Sequence, residues 1–408
     1  MAELNEVVMV SACRTPIGKY AGSLKDFKVN DLSKITGAEA IKRAGIEASQ
    51  IDELVLGMCM HHGNGSLPPR AIAMGLGMTF ESSASMVSQN CAASMRATEI
   101  AAMGLAMGKN DIALVIGTES MSGVPYLLPA MRWGARMADT KCQDPMLSDG
   151  LVCGLAKSHM GGTADNIAKK YGISREECDQ LALISHTRAA AAVNGGIFDR
   201  EYVPVEIKTR KGSTFFNKDE HFIPGASLET MGKLPPAFNK DGVTTAANAS
   251  GLNDGSAAMV LMTAQKAKEL GVKPLAKLLS ICSYGVDPVY MGIGPAYAIP
   301  KALKQAGLNY DQVDYWEINE AFAAQFIGVG KVIKDEFGIE MNAGDLNTQG
   351  NINHNGSGIA LGHPVGCTGA RLQVSLIHEM ERIGATVGGA STCVGGGPAM
   401  AVIWTRDV

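Results

Sequence analysis

No run of apolar residues in this chain approaches the roughly 18 to 20 that a bilayer-spanning helix needs, which argues against a membrane span. No CxxC and no paired metal-ligand spacing occurs among the 9 cysteines, an odd number, so neither a zinc site nor a disulfide framework is indicated. An excess of basic charge is missing too. With 36 Lys and Arg against 40 Asp and Glu the formal net charge is −4, so nothing draws the chain as a whole to nucleic acid. A local basic patch for a phosphate-bearing ligand remains compatible with that balance. Residues 1–6 lack the basic and apolar regions of a signal peptide, and free thiols at this density fit a reducing compartment, so a cytoplasmic location is expected. Only 19% of residues are charged while 46% are hydrophobic, the balance of a folded globular chain.

What is present alternates between strand-like and helix-like runs. Residues 6–11 and 54–57 are short apolar strands, 32–44 has helical periodicity, and 111–117 is another buried strand. Residues 94–107 form an apolar helix rich in small residues. Such alternation predicts an α/β fold. From 123 to 241 the rhythm fades and Met, Pro, Arg and Gly become frequent, as in an insertion lying over a core. Within it, Ser174-Arg175-Glu176-Glu177 is a capping box that opens a helix running to about 193. Strand character returns at 258–262, so residues 1–122 and 242–272 are assigned to one half and 273–408 to a second half. The second half repeats the pattern of the first: 314–318 stands where 53–56 stood, and the helix at 369–383 stands where 94–107 stood.

The chemistry-bearing residues sit at corresponding places in the two halves. Cys91 precedes the first of these helices and His363 the second. A thiol at a helix start is expected to have its thiolate favoured by the helix dipole and free N–H groups. His363 is framed by glycines that let a ligand approach closely, and a neutral imidazole there can take a thiol proton and polarise a carbonyl. Cys393 precedes three glycines; its ordinary pKa of about 8.5 is near enough to neutrality for acid and base work. The glycines do not match a dinucleotide fingerprint, because strand rather than helix follows them. Asn319 follows a strand and can hold a water, donate to an oxyanion, or cap a helix. Residues 248–255, around Ser250, are rich in turn formers and predict a loop. His159 can be an ordinary polar contact. His61, His62, His186, His221 and His378 lie in no motif, and His354 precedes the glycine run without an evident role.

The motifs VSQNCAAS (87–94), HMGGTADNIA (159–168), NASGLNDG (248–255), INEAFA (318–323), GIALGHPVGCTGAR (358–371) and CVGGGPA (393–399), in this order, resemble the thiolases, as does VSACRTPIG at 10–18. The resemblance covers essentially the whole chain. It implies two βαβαβαββ halves stacked as a five-layer α-β-α-β-α sandwich, with a loop domain inserted in the first half, and a homo-oligomer, dimer or tetramer. It implies reversible thiolysis of 3-oxoacyl-CoA, or condensation of acetyl-CoA, with coenzyme A and acyl-CoA as substrates and no metal or redox cofactor. By this resemblance Cys91 is the nucleophile, His363 its activator, and Asn319 the holder of a water in one oxyanion hole. Cys393 is the acid and base, and the N–H groups of Cys91 and Gly395 make the second oxyanion hole. His159, Met160, Ser250, Met291 and Phe322 fall at substrate- and CoA-binding positions.

Several residues depart from the common pattern. Asn90 stands where many members have an apolar residue, Ala92-Ala93-Ser94 replaces glycine-serine-glycine, Cys367 replaces alanine, and Ser357-Gly358 replaces glycine-alanine. Residues 151–158 lack the aromatic residues common before the His-Met-Gly motif of acetoacetyl-CoA enzymes, which points to a longer or bulkier acyl group, aromatic ones included. His159-Met160 and Met291 resemble short-chain enzymes and shift the expectation to acetoacetyl-CoA. A decarboxylating condensing enzyme fits less well, given the Asn-Glu-Ala-Phe and Cys-Val-Gly-Gly-Gly motifs. A non-catalytic CoA-binding scaffold is the remaining alternative, which retention of all four catalytic positions disfavours.

Overall fold

The computed structural model describes residues 4–210 and 212–408. The first half runs β1 (Val7–Arg14), β2 (Gly18–Lys19), α1 (Val29–Ala44), β3 (Glu53–Gly57), α2 (Pro68–Leu76), β4 (Ser83–Val87), α3 (Ala93–Ala106) and β5 (Ile112–Ser120). The inserted segment carries two small hairpins, β6 (Val152–Cys153) with β7 (Ser158–His159) and β8 (Val205–Thr209) with β9 (Gly212–Phe216). Its helices are α4 (Met160–Tyr171), α5 (Arg175–Asn194) and α6 (Leu228–Gly232). Then β10 (Asn253–Thr263) and α7 (Ala264–Leu270) complete the half. The second half contains β11 (Ala276–Gly285), α8 (Pro295–Ala306), β12 (Tyr315–Ile318), α9 (Ala323–Phe337), α10 (Gly358–Leu361), α11 (Thr368–Ile383), β13 (Val387–Cys393) and β14 (Pro398–Thr405).

The duplication is visible in the strand pairing. In the first half β4, β3 and β5 run parallel, then β10 and β1 antiparallel. In the second half β12 runs parallel to β13, followed by β14 and β11 antiparallel, and a parallel bridge from Trp316 to Ile352 takes the place of β4. Two residue pairs, Val8 with Lys277 and Met9 with Ala276, join the sheets. Helices α3 and α11 lie between them: α3 packs on β3 and β5 and reaches β14, while α11 packs on β12 and β13 and reaches β1, β5 and β10. With α1 and α2 outside one sheet and α8 and α9 outside the other, the layers are α-β-α-β-α.

Burial on both sheet faces follows the two-residue period of a strand. Along β10, Met259 and Leu261 join the central core with Met95, Leu372 and Trp404. The alternate residues Val260 and Met262 join the outer core with Ile41 and Ile72. The turn formers Asn253, Asp254 and Gly255, expected in a loop, instead begin β10. They pair with β2 and β5, and Asp254 accepts the Ser122 N–H at 2.9 Å and its hydroxyl at 2.6 Å, so their polar groups are satisfied inside the ladder.

The central helices begin almost in contact. A Cβ at Gly117 would lie 2.4 Å from Ser94 Cβ, and one at Gly369 would lie 2.5 Å from the Met95 nitrogen. Ser94 Oγ accepts the Ala370 N–H at 2.7 Å, joining the two helix starts. The insertion packs mainly on the second half, through α4 and α5 against α9. It is also fastened to β1: buried Arg14 bonds Glu201 at 2.5 Å and Asp219 at 2.9 Å, with its guanidinium against Phe198 and Tyr202. The capping box at Ser174 is formed in both directions. Among the described residues no helix is long and apolar enough to cross a membrane, and no group of three or more His, Cys, Asp or Glu side chains could hold a metal ion.

Candidate active site

Where α3 and α11 begin, Cys91 Sγ lies 3.2 Å from His363 Nε2. These residues are 272 positions apart in the chain. Cys91 sits in a 3-10 turn, Asn90–Ala92, just ahead of α3. His363 is placed by its own N–H, which donates to Asn253 Oδ1 at 2.9 Å, while Asn253 Nδ2 holds the Gly18 carbonyl at 3.0 Å. Gly362, with φ of 101°, lets the chain pass so close to Asn253 that a Cβ would meet its side chain at 2.6 Å.

Sequence alone suggested a thiol already biased to thiolate, and the structure corrects this. Burial raises the Cys91 pKa to about 11, even though the N–H groups of Gly395 and Cys91 itself hold it down. Desolvation of the charged form outweighs the donors. Burial, with Arg371 nearby, lowers His363 to about 3. The resting pair is therefore a neutral thiol and a neutral imidazole. Thiolate must be made as substrate arrives, by transfer of the Sγ proton to Nε2.

Cys393, at the end of β13, is fully buried. Its expected acid-base poise near neutrality is also corrected: burial, with Cys91 beside it, pushes its pKa well above the ordinary value. It is therefore held as an acid until substrate chemistry draws its proton away. Asn319 does not cap α9, whose N-cap is Phe322. The Asn319 side chain is wholly buried, and neither its Oδ1 nor its Nδ2 has a protein hydrogen-bond partner. Such an amide is costly to leave unpaired and suits a bound water or a substrate oxygen.

One apolar cavity of about 360 Å³ joins these groups. Cys91, His159, Met160, Ser250, Met291, Phe322, His363, Cys393 and Gly395 all line it. Asn319 is not in the wall but stands two residues before Ala321, which is. Met121, Leu147, Leu151 and Leu252 widen the apolar lining. His159 caps α4, accepting the Gly161 N–H at 3.0 Å, and stacks on Phe238 at 4.5 Å. Burial lowers its pKa, so its ring presents a neutral face. The histidines outside the motifs are held elsewhere: His186 contacts the Ala247 carbonyl at 3.2 Å, and His354 contacts Glu379 at 2.8 Å.

Two supporting residues, Thr368 and Glu119, were not recognised from sequence, and a third, Asn90, stood out there only as a departure from the family pattern. Thr368 Oγ1 lies 2.5 Å from His363 Nδ1. Glu119, buried at the end of β5, accepts the N–H groups of Cys59, Met60 and Gly366 at 3.0, 3.0 and 2.8 Å. It thereby ties the turn after β3 to the turn after His363. Asn90 bridges Cys59 and Gly395. A carboxylate just beyond the apolar run 112–117 was the one available signal for Glu119; Thr368 lay unremarked inside the GHPVGCTGAR motif.

Residues 7–265 match the family model described as thiolase, N-terminal domain, and 272–406 match thiolase, C-terminal domain. An acetyl-CoA acetyltransferase of Syntrophomonas wolfei is 45% identical over 401 residues, covering 98% of each chain. A solved structure of acetyl-CoA acetyltransferase from Syntrophomonas wolfei superposes with a TM-score of 0.97 at 61% identity, covering 99% of this chain and 100% of that one. Human mitochondrial 3-ketoacyl-CoA thiolase in complex with CoA gives 0.92 at 36% identity, with full coverage of both (100% and 100%).

Proposed function

This chain belongs to the thiolase family, an acyltransferase, and on that premise we propose that its substrate is acetoacetyl-CoA, cleaved by CoA to two acetyl-CoA or formed in reverse. The observation that carries the reading is the 3.2 Å approach of Cys91 Sγ to His363 Nε2 inside one apolar cavity shared with Cys393 and Gly395. Cys91 gives its proton to His363 and attacks the 3-oxo carbonyl. The developing oxyanion faces the N–H groups of Cys91 and Gly395. The C–C bond then breaks, and the departing acetyl-CoA enolate, stabilised near Asn319, takes a proton from Cys393. The thiol of CoA gives its proton to the Cys393 thiolate and attacks the acetylated Cys91, whose departing sulfur takes back its proton from His363 as the second acetyl-CoA is released. Thioester exchange and enolate formation need donors and proton carriers, all supplied here by side chains and backbone.

The direct test uses Cys91→Ser. The variant should fold, form no acyl-enzyme on mixing with acetoacetyl-CoA, and lack thiolysis; undiminished thiolysis would sink the assignment. A second reading, a thiolase for longer 3-oxoacyl-CoA, is favoured by the apolar wall of Met121, Leu147, Leu151 and Leu252. A thiolysis panel of rising acyl length, with an aromatic member, separates the two.

The same proposal includes a homo-oligomer in the cytoplasm, working in either degradative or synthetic acyl metabolism. β4 pairs with β3 on one side only and carries half-exposed Met86. Tyr126, Trp133 and Met137 are exposed on the inserted segment, as apolar side chains awaiting a second copy are. All nine cysteines are free thiols, in keeping with a reducing compartment. Light scattering of the purified chain tests the oligomer: a monomer at micromolar concentration would overturn that part.

A further inference from the structure

The geometry points to Asn90 as a positioning residue for acyl transfer, its side chain holding the turn that carries Gly395 against the turn that carries Cys91. This rests on the thiolase reading and assigns a part of the site that reading leaves without a cause.

The N–H of Gly395 acts on the Cys91 sulfur, yet it belongs to a run of three glycines, Gly395 to Gly397. Gly396 and Gly397 have φ of 94° and 107°, so this turn has no side chains of its own to fix it. Its far end is tethered, with the Val286 N–H donating to the Gly397 carbonyl at 2.9 Å. Its near end, at the reacting sulfur, is tethered by Asn90: Nδ2 donates to the Gly395 carbonyl at 3.1 Å. The other end of that amide is also occupied, since Oδ1 accepts the Cys59 thiol at 3.4 Å. Asn90 thus has a fixed orientation, anchored through Cys59 to the turn that Glu119 holds.

The backbone supports the same role. Asn90 has φ of 43°, a left-handed conformation that asparagine tolerates better than apolar residues with a full side chain. This turn directs Cys91 toward His363 and directs the Asn90 amide toward Gly395. A Cβ on Gly395 would lie 2.8 Å from Asn90 Nδ2 and 2.2 Å from Met160 Cε, so glycine is required there for both neighbours to close over it. An N–H that must meet an oxyanion gains from being fixed before the charge develops.

Asn90→Gly tests this, because glycine accepts the left-handed turn while the amide is removed. The reaction followed is exchange of the acetyl group between acetyl-CoA and isotopically labelled CoA, which needs acyl transfer alone. Its kcat should fall about tenfold, with KM within about twofold and an unchanged melting temperature. Alkylation of Cys91 by iodoacetamide, in which no oxyanion forms, should fall less than about threefold. Cys59→Ala, which frees only the far end of the amide, should give a smaller loss in exchange. Unchanged exchange in Asn90→Gly would overturn the assignment. So would an equal fall in exchange and alkylation, because the lesion would then lie in the nucleophile itself. Absence of exchange in the parent enzyme would overturn the thiolase reading and this inference with it.

Discussion

Thr368 Oγ1 sits 2.5 Å from His363 Nδ1 and, in the same geometry, 3.0 Å from the carbonyl of Pro364. A hydroxyl has one proton. With that proton donated to the Pro364 carbonyl, Thr368 accepts from the ring. Nδ1 of His363 therefore carries the imidazole proton, leaving the Nε2 lone pair aimed at Cys91. One threonine thus selects the tautomer that can act as base.

Removing this selection should damage catalysis more than stability. Thr368→Val frees the ring to place its proton on Nε2, and kcat for thiolysis should drop by roughly ten- to a hundredfold, as loss of a histidine-orienting partner does at metal sites. Thr368→Ser should retain most activity. Steady-state thiolysis of acetoacetyl-CoA by the two variants decides it; equal activity of the valine and serine variants would contradict the tautomer argument.

The pH dependence follows from the two opposite shifts. His363, lowered to about 3, is neutral and able to accept a proton throughout the range in which the protein is handled. Cys91, raised to about 11, is protonated over that same range. The rate constant for acyl-enzyme formation should show no acid limb near the ordinary histidine value of about 6.5. Iodoacetamide alkylation of Cys91 should keep rising with pH past 9, because the thiolate fraction grows until its raised pKa is reached. A plateau in alkylation by about pH 8 would show an ion pair at rest instead.

Cys393 and Asn319 should separate the two halves of the reaction. Cys393→Ala removes the proton donor to the enolate, so thiolysis should fall at least a hundredfold while acetyl exchange between acetyl-CoA and CoA persists. Asn319→Ala removes the unpaired buried amide and should cost on the order of 10²- to 10³-fold in kcat for thiolysis, as the loss of an oxyanion donor does. Measuring both reactions on both variants checks the division; a Cys393→Ala enzyme that lost exchange equally would contradict it.

Glu119 gives a stability prediction. Burial pushes its pKa up from 4.5 to about 7, against the pull of three N–H donors. The folded state therefore binds its proton more tightly than the unfolded chain does. That contribution to stability is fully present below about pH 4.5 and is lost as pH rises through about 7. Glu119→Gln cannot accept on both sides, so it strands an N–H and should cost about 1–3 kcal/mol at neutral pH. It should also flatten the parent's decline in stability between pH 5 and 7. Urea midpoints at several pH values for both proteins measure this.

Much of the architecture was legible because it is written locally. The 174–177 box did cap α5, and the helices before which Cys91 and His363 stand begin within a residue of where the small-residue pattern put them. The turn-rich 253–255 did not read correctly, because its backbone pairs with β2 and β5 and its side chains find partners in Gly18, Ser122 and His363, all distant in the sequence. The poise of Cys91 and Cys393 was misjudged for a related reason. A helix start is a local feature, whereas desolvation depends on every element packed around the thiol.

From the sequence alone come the duplicated α/β halves, the inserted segment, and the roster of groups: a thiol ahead of one helix, an imidazole ahead of its counterpart, and a second thiol before a glycine run. These follow from periodicity and from neighbours a few residues apart. Tertiary structure alone decided that Cys91 Sγ and His363 Nε2 meet at 3.2 Å, that the pair rests neutral, and that Asn90, Thr368 and Glu119 hold it. Contacts between residues hundreds of positions apart are set by strand register and by how closely α3 and α11 approach, and the charge states are set by the burial that this packing creates.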